Sequence, residues 1–107
     1  MRRRALTIAL LGLAAACSGG GQDAVPEDVI DRETFIATYV DLRDAAVRAP
    51  EFRASEDQRA EILNRHGVDG ESLIRFAEAH GRDLDFMNAV WAEVETRLQA
   101  LAEETSR

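Results

Sequence analysis

The sequence contains no lysine, a single cysteine and only two histidines. One cysteine cannot form an intramolecular disulfide, so the fold is not a disulfide scaffold. Without lysine, the strong bases are all arginine, with 13 arginines against 20 acidic residues. This acidic balance disfavours binding to nucleic acid or to anionic lipid through a basic surface.

Long apolar runs are also scarce, and the one that stands out lies near the N-terminus. Residues 5–16 are apolar and follow the arginines at positions 2–4, but they are fewer than the roughly 20 helical residues that span a bilayer. A basic start followed by a short apolar stretch is typical of a cleaved export signal. Removal of residues 1–16 would leave Cys17 at the new N-terminus.

The residues around Cys17 resemble the lipobox of bacterial lipoproteins, in which small residues precede a cysteine that is acylated on sulfur. Here Ala14, Ala15 and Ala16 precede Cys17, although the family favours Leu at the position of Ala14. The resemblance implies that Cys17 carries acyl chains such as palmitate and anchors the mature protein to a membrane of the cell envelope. Because Ser18 and not Asp follows Cys17, the expected location in a two-membrane envelope is the periplasmic face of the outer membrane. The alternative is ordinary cleavage after Ala16, which would release a soluble protein.

The mature chain divides into a short tether and one domain. Residues 17–27 are rich in glycine and include Pro26, so we expect a flexible tether there. Residues 28–107 show helical periodicity without an alternating segment of strand length. The sequence therefore predicts a signal peptide, a lipidated tether and an all-α domain of four helices, in which the outer two are long and the middle two short.

Residues that cap helices mark the divisions between these helices. Asp31, Ser55, Asp69 and Asp83 are the predicted N-caps, and Ser55 is expected to form a capping box with Gln58. The second and third helices are predicted over about 56–66 and 70–80.

The pattern His-Gly-x-Asp occurs twice, at 66–69 and 80–83. Histidine ends a helix favourably at the negative end of its dipole, glycine turns the chain, and aspartate caps the next helix. We interpret both copies as boundaries between consecutive helices, and we expect Gly67 to adopt a left-handed conformation.

Residues that could support catalysis or metal binding have simpler explanations. The two histidines could bind a metal with a neighbouring aspartate, but both end helices and their spacing matches no compact ligand motif. Adjacent carboxylates are frequent in a chain this acidic, so such pairs are weak candidates for acid–base catalysis. We therefore expect no enzyme activity, no metal and no cofactor. The residues considered are His66 and His80 with Asp69 or Asp83, and the pairs Asp41/Asp44 and Glu93/Glu95.

Apolar faces on the first and last helices predict the core. A domain of this size needs these side chains inside, and a single tryptophan usually belongs to the core. The alternative is a partly exposed groove in which Trp91, Phe86 and Met87 contact a partner. On the first helix the face comprises Phe35, Ile36, Tyr39, Val40, Arg43, Ala46 and Val47. On the last it comprises Leu84, Met87, Trp91, Val94, Leu98 and Leu101, widened by Phe86 and Val90.

A further resemblance rests on the order of these elements between Val29 and Leu101. The residues that carry it are Phe35, Tyr39 and Leu42, then Ile62-Leu63 before His66-Gly67-Val68, then Leu73 and Phe76, and a closing helix from Trp91 to Leu98. Together they resemble a small helical domain of unknown function carried by many bacterial envelope lipoproteins. The resemblance implies no activity and no functional residue beyond Cys17.

The sequence thus favours a lipid-anchored, non-enzymatic interaction module that binds another envelope protein, in an oligomeric state that the sequence does not specify. The alternative is an exported chaperone-like or ligand-carrying domain whose apolar face opens to hold a peptide or a lipid.

Overall fold

The structure is a computed structural model that describes residues 26–106, which form an all-α domain of four helices. The predicted fold class is confirmed, because the first and last helices along the chain are long, the two between them are short, and the described residues contain no strand. A short 3-10 turn at Pro50–Phe52 follows the first helix and was not predicted. The helices are α1 Arg32–Arg48, α2 Glu56–Arg65, α3 Gly70–His80 and α4 Leu84–Thr105.

The predicted N-caps are present at all four helices, each accepting a hydrogen bond from the backbone N–H three residues further along. A cap of this kind pairs one of the N–H groups that the first helical turn leaves without a partner. The capping box at α2 is reciprocal, since the Ser55 N–H also donates to Oε1 of Gln58 at 3.1 Å. The four cap distances are 2.7 Å for Asp31, 3.1 Å for Ser55, 2.8 Å for Asp69 and 3.1 Å for Asp83.

The core lies between α1, α3 and α4. The rings of Phe35 and Phe76 stack with their centroids 4.2 Å apart, which joins α1 to α3. Such a pair adds about 0.5–1.5 kcal/mol to the free energy gained from burial alone. Helix α2 contributes one buried side chain, Ile62. The buried core side chains are Phe35, Ile36, Val40, Phe76, Val90 and Val94.

The buried face of α4 is rotated relative to the predicted one. Val90, which was expected only to widen the face, is fully buried, whereas Leu84 is 70% exposed. The prediction for Leu84 was therefore wrong. Apolar residues cover a wider arc of α4 than its neighbours bury, so the positions of α1 and α3 decide which of them face inward.

The predicted face of α1 is also too long. Val47 is 59% exposed and Arg43 is exposed, although both were placed on that face. The buried core residues of α1 lie between Phe35 and Val40. The last two turns of α1 thus extend beyond the core. The apolar repeat of the sequence continues through these turns, although they bury no core residue.

The chain segment that precedes α1 is part of the domain. Val29 and Ile30 pack against the core, and a carboxylate oxygen of Asp28 lies 3.5 Å from the Arg75 guanidinium. The Val29 N–H donates to the carbonyl of Pro26 at 3.1 Å. The described chain is therefore held to α3 before the first helix begins.

Candidate functional site

Trp91 lies on α4 at the edge of the core, and 38% of its surface is exposed. Its ring meets Tyr39 at a centroid distance of 5.0 Å and Phe35 at 5.8 Å, edge-on in both cases. One side of the indole is therefore packed on α1, and the remainder faces solvent. The core interpretation therefore describes only the packed part of this side chain, and a partner surface at its exposed part stays a prediction.

Phe86 and Met87, the other two predicted contact residues, are half-buried and pack against the core. The Phe86 ring stacks on His80 at 4.2 Å and lies 6.0 Å from Phe76, so it faces α3. Trp91 instead contacts α1. Because Phe86 and Trp91 lie on different flanks of α4, the structure does not join the three predicted residues into one open surface.

The two histidines, which the sequence offered as alternative metal ligands, have separate neighbours. Nε2 of His66 lies 2.7 Å from Oδ2 of Asp41, which joins the end of α2 to α1. The Arg65 guanidinium lies 3.8 Å from the same carboxylate oxygen. His80 packs against Phe76 instead, at a centroid distance of 4.6 Å. Among residues 26–106, no three possible ligands converge as a metal site would require.

An open groove of about 410 Å³ lies between α1 and α2. Several of its charges are paired across one turn, such as Arg48 with Asp44 at 3.0 Å and Arg65 with Glu61 at 3.7 Å. Small-molecule and lipid sites are lined mostly by apolar side chains. The charged walls of this groove do not provide such a lining. The groove is lined by Asp41, Asp44, Ala45, Arg48, Ala49, Pro50, Gln58, Glu61, Ile62 and Arg65.

The Arg97 side chain forms an ion-pair network between α1 and α4. Its guanidinium donates to both carboxylate oxygens of Glu33, at 2.8 Å each, and its Nε–H donates to Glu93 at 2.9 Å. The side-chain hydrogen bonds from Arg97 lower the pKa of Glu33, and those to Glu33 and Glu93 raise the pKa of Arg97. A forked pair of this geometry fixes orientation as well as distance, so Arg97 positions α4 against the first turn of α1.

Sequence reasoning missed the most exposed aromatic side chain in the described part of the chain. Phe52 is 79% exposed in the 3-10 turn after α1. It lies two residues after Pro50 and belongs to no apolar repeat, so periodicity gives no signal for it. Ile74, on α3, is a further exposed apolar side chain at 58%.

No family model, curated protein or solved structure matches this chain. Of the four helices described, none is long and apolar enough to cross a bilayer. The predicted signal peptide and Cys17 lie outside the described residues, so the lipid anchor stays a prediction from the sequence.

Proposed function

We propose that this protein is a lipid-anchored lipoprotein of the cell envelope and that its helical head binds another envelope protein without catalysing a reaction. The basic start, the short apolar run and Cys17 support the anchor. The helical head begins within about ten residues of this cysteine, since the carbonyl of Pro26 accepts a hydrogen bond from the Val29 N–H at the edge of the domain. Such a head stays near the membrane surface and is available to neighbouring proteins.

The placement of Trp91 carries the binding part of the proposal. Tryptophan and tyrosine are enriched among the residues that dominate protein interfaces. Here Phe35 and Tyr39 hold the indole edge-on, so its position is fixed before a partner arrives. A pre-positioned aromatic side chain loses little conformational entropy on binding. The acidic excess, nine arginines against nineteen acidic residues in 26–106, favours a partner with a basic rim.

The anchor is tested by Cys17→Ser in the producing bacterium. We expect loss of acyl labelling, together with either an uncleaved precursor or release of the head to the soluble fraction. Ser18→Ala serves as the matched control, because it changes the neighbouring residue and leaves the acylated sulfur in place. Membrane retention of Cys17→Ser at the wild-type level without labelling would contradict the anchor.

The binding surface is tested with a photo-crosslinking amino acid placed at Trp91 in the native lipidated protein. We expect one dominant crosslinked protein, whose yield falls when the same probe replaces Leu84, an exposed residue on the same helix. Trp91→Ala should weaken the isolated complex by about tenfold or more, as truncation of a central aromatic contact usually does. Equal crosslinking from both positions would contradict the assignment of Trp91.

A further inference from the structure

The turn after α1 presents an aromatic ring to solvent on a strained backbone. We call residues 50–53 the Phe52 turn. Glu51 and Phe52 have φ values of 63° and 56°, in the left-handed region that side-chain-bearing residues rarely adopt. Glycine or asparagine would relieve this strain, and neither stands at these positions. Strained backbone of this kind is typically retained where the residue has a role beyond stability.

The Phe52 turn also lies in the least acidic part of the described chain. Residues 48–59 carry three arginines and three acidic residues, whereas 26–47 and 60–106 together carry six arginines and sixteen acidic residues. An anionic bilayer would repel the acidic majority of the head but not this neutral segment. The exposed Arg53 directly follows Phe52, and arginine can reach phosphate groups while an adjacent aromatic ring enters the apolar layer.

The length of the chain allows this turn to reach the membrane that holds Cys17. Helix α1 has 17 residues and is about 25 Å long. The connection from Cys17 to Pro26 can extend to about 30 Å. The Phe52 turn, at the far end of α1, can therefore meet the bilayer if α1 lies along its surface.

We propose that the Phe52 turn inserts into the bilayer to which the protein is anchored, with the ring among the upper acyl segments and the Arg53 guanidinium at the phosphates. This inference rests on the proposed lipid anchor, because one aromatic ring binds a bilayer too weakly to hold a protein alone. The anchor keeps the turn at a high local concentration near the surface, so a weak contact suffices to orient the head.

The test uses the mature lipidated protein in phosphatidylcholine vesicles whose acyl chains carry bromine, a quencher of tryptophan emission. In a Trp91→Phe background, Phe52→Trp provides a single tryptophan at the turn. Ile74→Trp and Leu84→Trp in the same background are matched controls, because these positions are also exposed on the head. We expect bromine to quench Phe52→Trp at least about twofold more strongly than either control, with blue-shifted emission, since interfacial insertion reaches about 5–10 Å into the lipid.

Flotation of the same vesicles separates the anchor from the turn. Proteins that float, with equal quenching at all three positions, overturn insertion and leave the anchor intact. Failure to float overturns the anchor and this inference with it. A third outcome is a blue shift of the Phe52→Trp emission that increases with protein density on the vesicle while bromine does not quench it. This result would assign Phe52 to a contact between protein copies and would likewise overturn insertion. Circular dichroism melts confirm that each variant folds.

Discussion

Two joints in the domain share the pattern His-Gly-x-Asp, one between α2 and α3 and the other between α3 and α4. Gly67 in the first joint has a φ of 67°, and a Cβ added there would meet open space. Gly81 in the second has a φ of −61°, which suits any residue, but a Cβ would lie 2.8 Å from the carbonyl oxygen of Ala77. The first joint needs glycine for its conformation, and the second needs it for its lack of a side chain.

The histidines of the two joints also have different contacts. Backbone bonds from Gly67 to Asn64 and from Val68 to Leu63, both 3.0 Å, close α2, and His66 then bonds Asp41 on α1. In the second joint, the histidine lies instead against aromatic rings of the core. A repeated sequence pattern thus marks repeated helix ends without repeating the interactions that hold them.

The largest effect is expected where the second joint meets the core. Phe76→Ala should lower the free energy of unfolding by about 3–5 kcal/mol, because the ring is fully buried and its loss leaves a cavity. Denaturant melts of residues 23–107 measure this change. Ile74→Ala, on the exposed side of α3, should change it by less than about 0.5 kcal/mol. Similar losses for both variants would show that the joint does not depend on the aromatic stack.

The positive φ of Gly67 strains any β-branched residue placed there. We therefore expect Gly67→Val to lower the free energy of unfolding by more than about 1 kcal/mol. Gly67→Asn should recover most of this loss, since asparagine tolerates the left-handed region. The same melts compare the two variants. If asparagine destabilises as much as valine, space and not φ would limit this position.

The second joint predicts the opposite pattern. Gly81→Ala should cost about 1 kcal/mol, because the new methyl group forces the Ala77 carbonyl to move. Gly81→Asn should be no better, since its Cβ meets the same oxygen. An improvement from alanine to asparagine at Gly81, like that expected at Gly67 from valine to asparagine, would remove the distinction between the joints.

The smallest effect concerns the aspartate that closes the first joint. Hydrogen bonds from the backbone N–H and the hydroxyl of Ser72 lower the pKa of Asp69 below its ordinary value of 3.8. The carboxylate thus contributes stability that is present above pH 3.8 and is lost as the pH falls through its lowered pKa. Asp69→Asn keeps a capping oxygen but cannot titrate, so its melts should depend less on pH below about 4. An unchanged acid dependence would contradict this role.

The interactions that could be predicted from the sequence join residues no more than four positions apart. The caps and the left-handed Gly67 are of this kind, as are the ion pairs Asp44–Arg48 and Glu93–Arg97. A helix brings such residues together whatever surrounds it, so local order suffices to predict them.

Contacts between distant residues could not be chosen from the sequence. Asp28 stands four positions before Arg32, the spacing of a helical ion pair, yet its carboxylate lies beside Arg75. The bond between Asp41 and His66 spans 25 residues. An acidic chain offers each arginine or histidine several partners, and only the packing of the helices selects among them. The same packing places Trp91 on the flank of α4, where its surface is divided between α1 and solvent.

The attachment of the chain ahead of α1 has a mechanical consequence. Tension applied through an N-terminal anchor would reach Val29 and Ile30 first, while both are packed on the core and Asp28 is paired with α3. The load would therefore enter through residues 26–30 and spread into the core before the first turn of α1 is stretched. Residues 26–30 would thus bear the load first, and α1 would unwind only after their contacts with the core and α3 had broken.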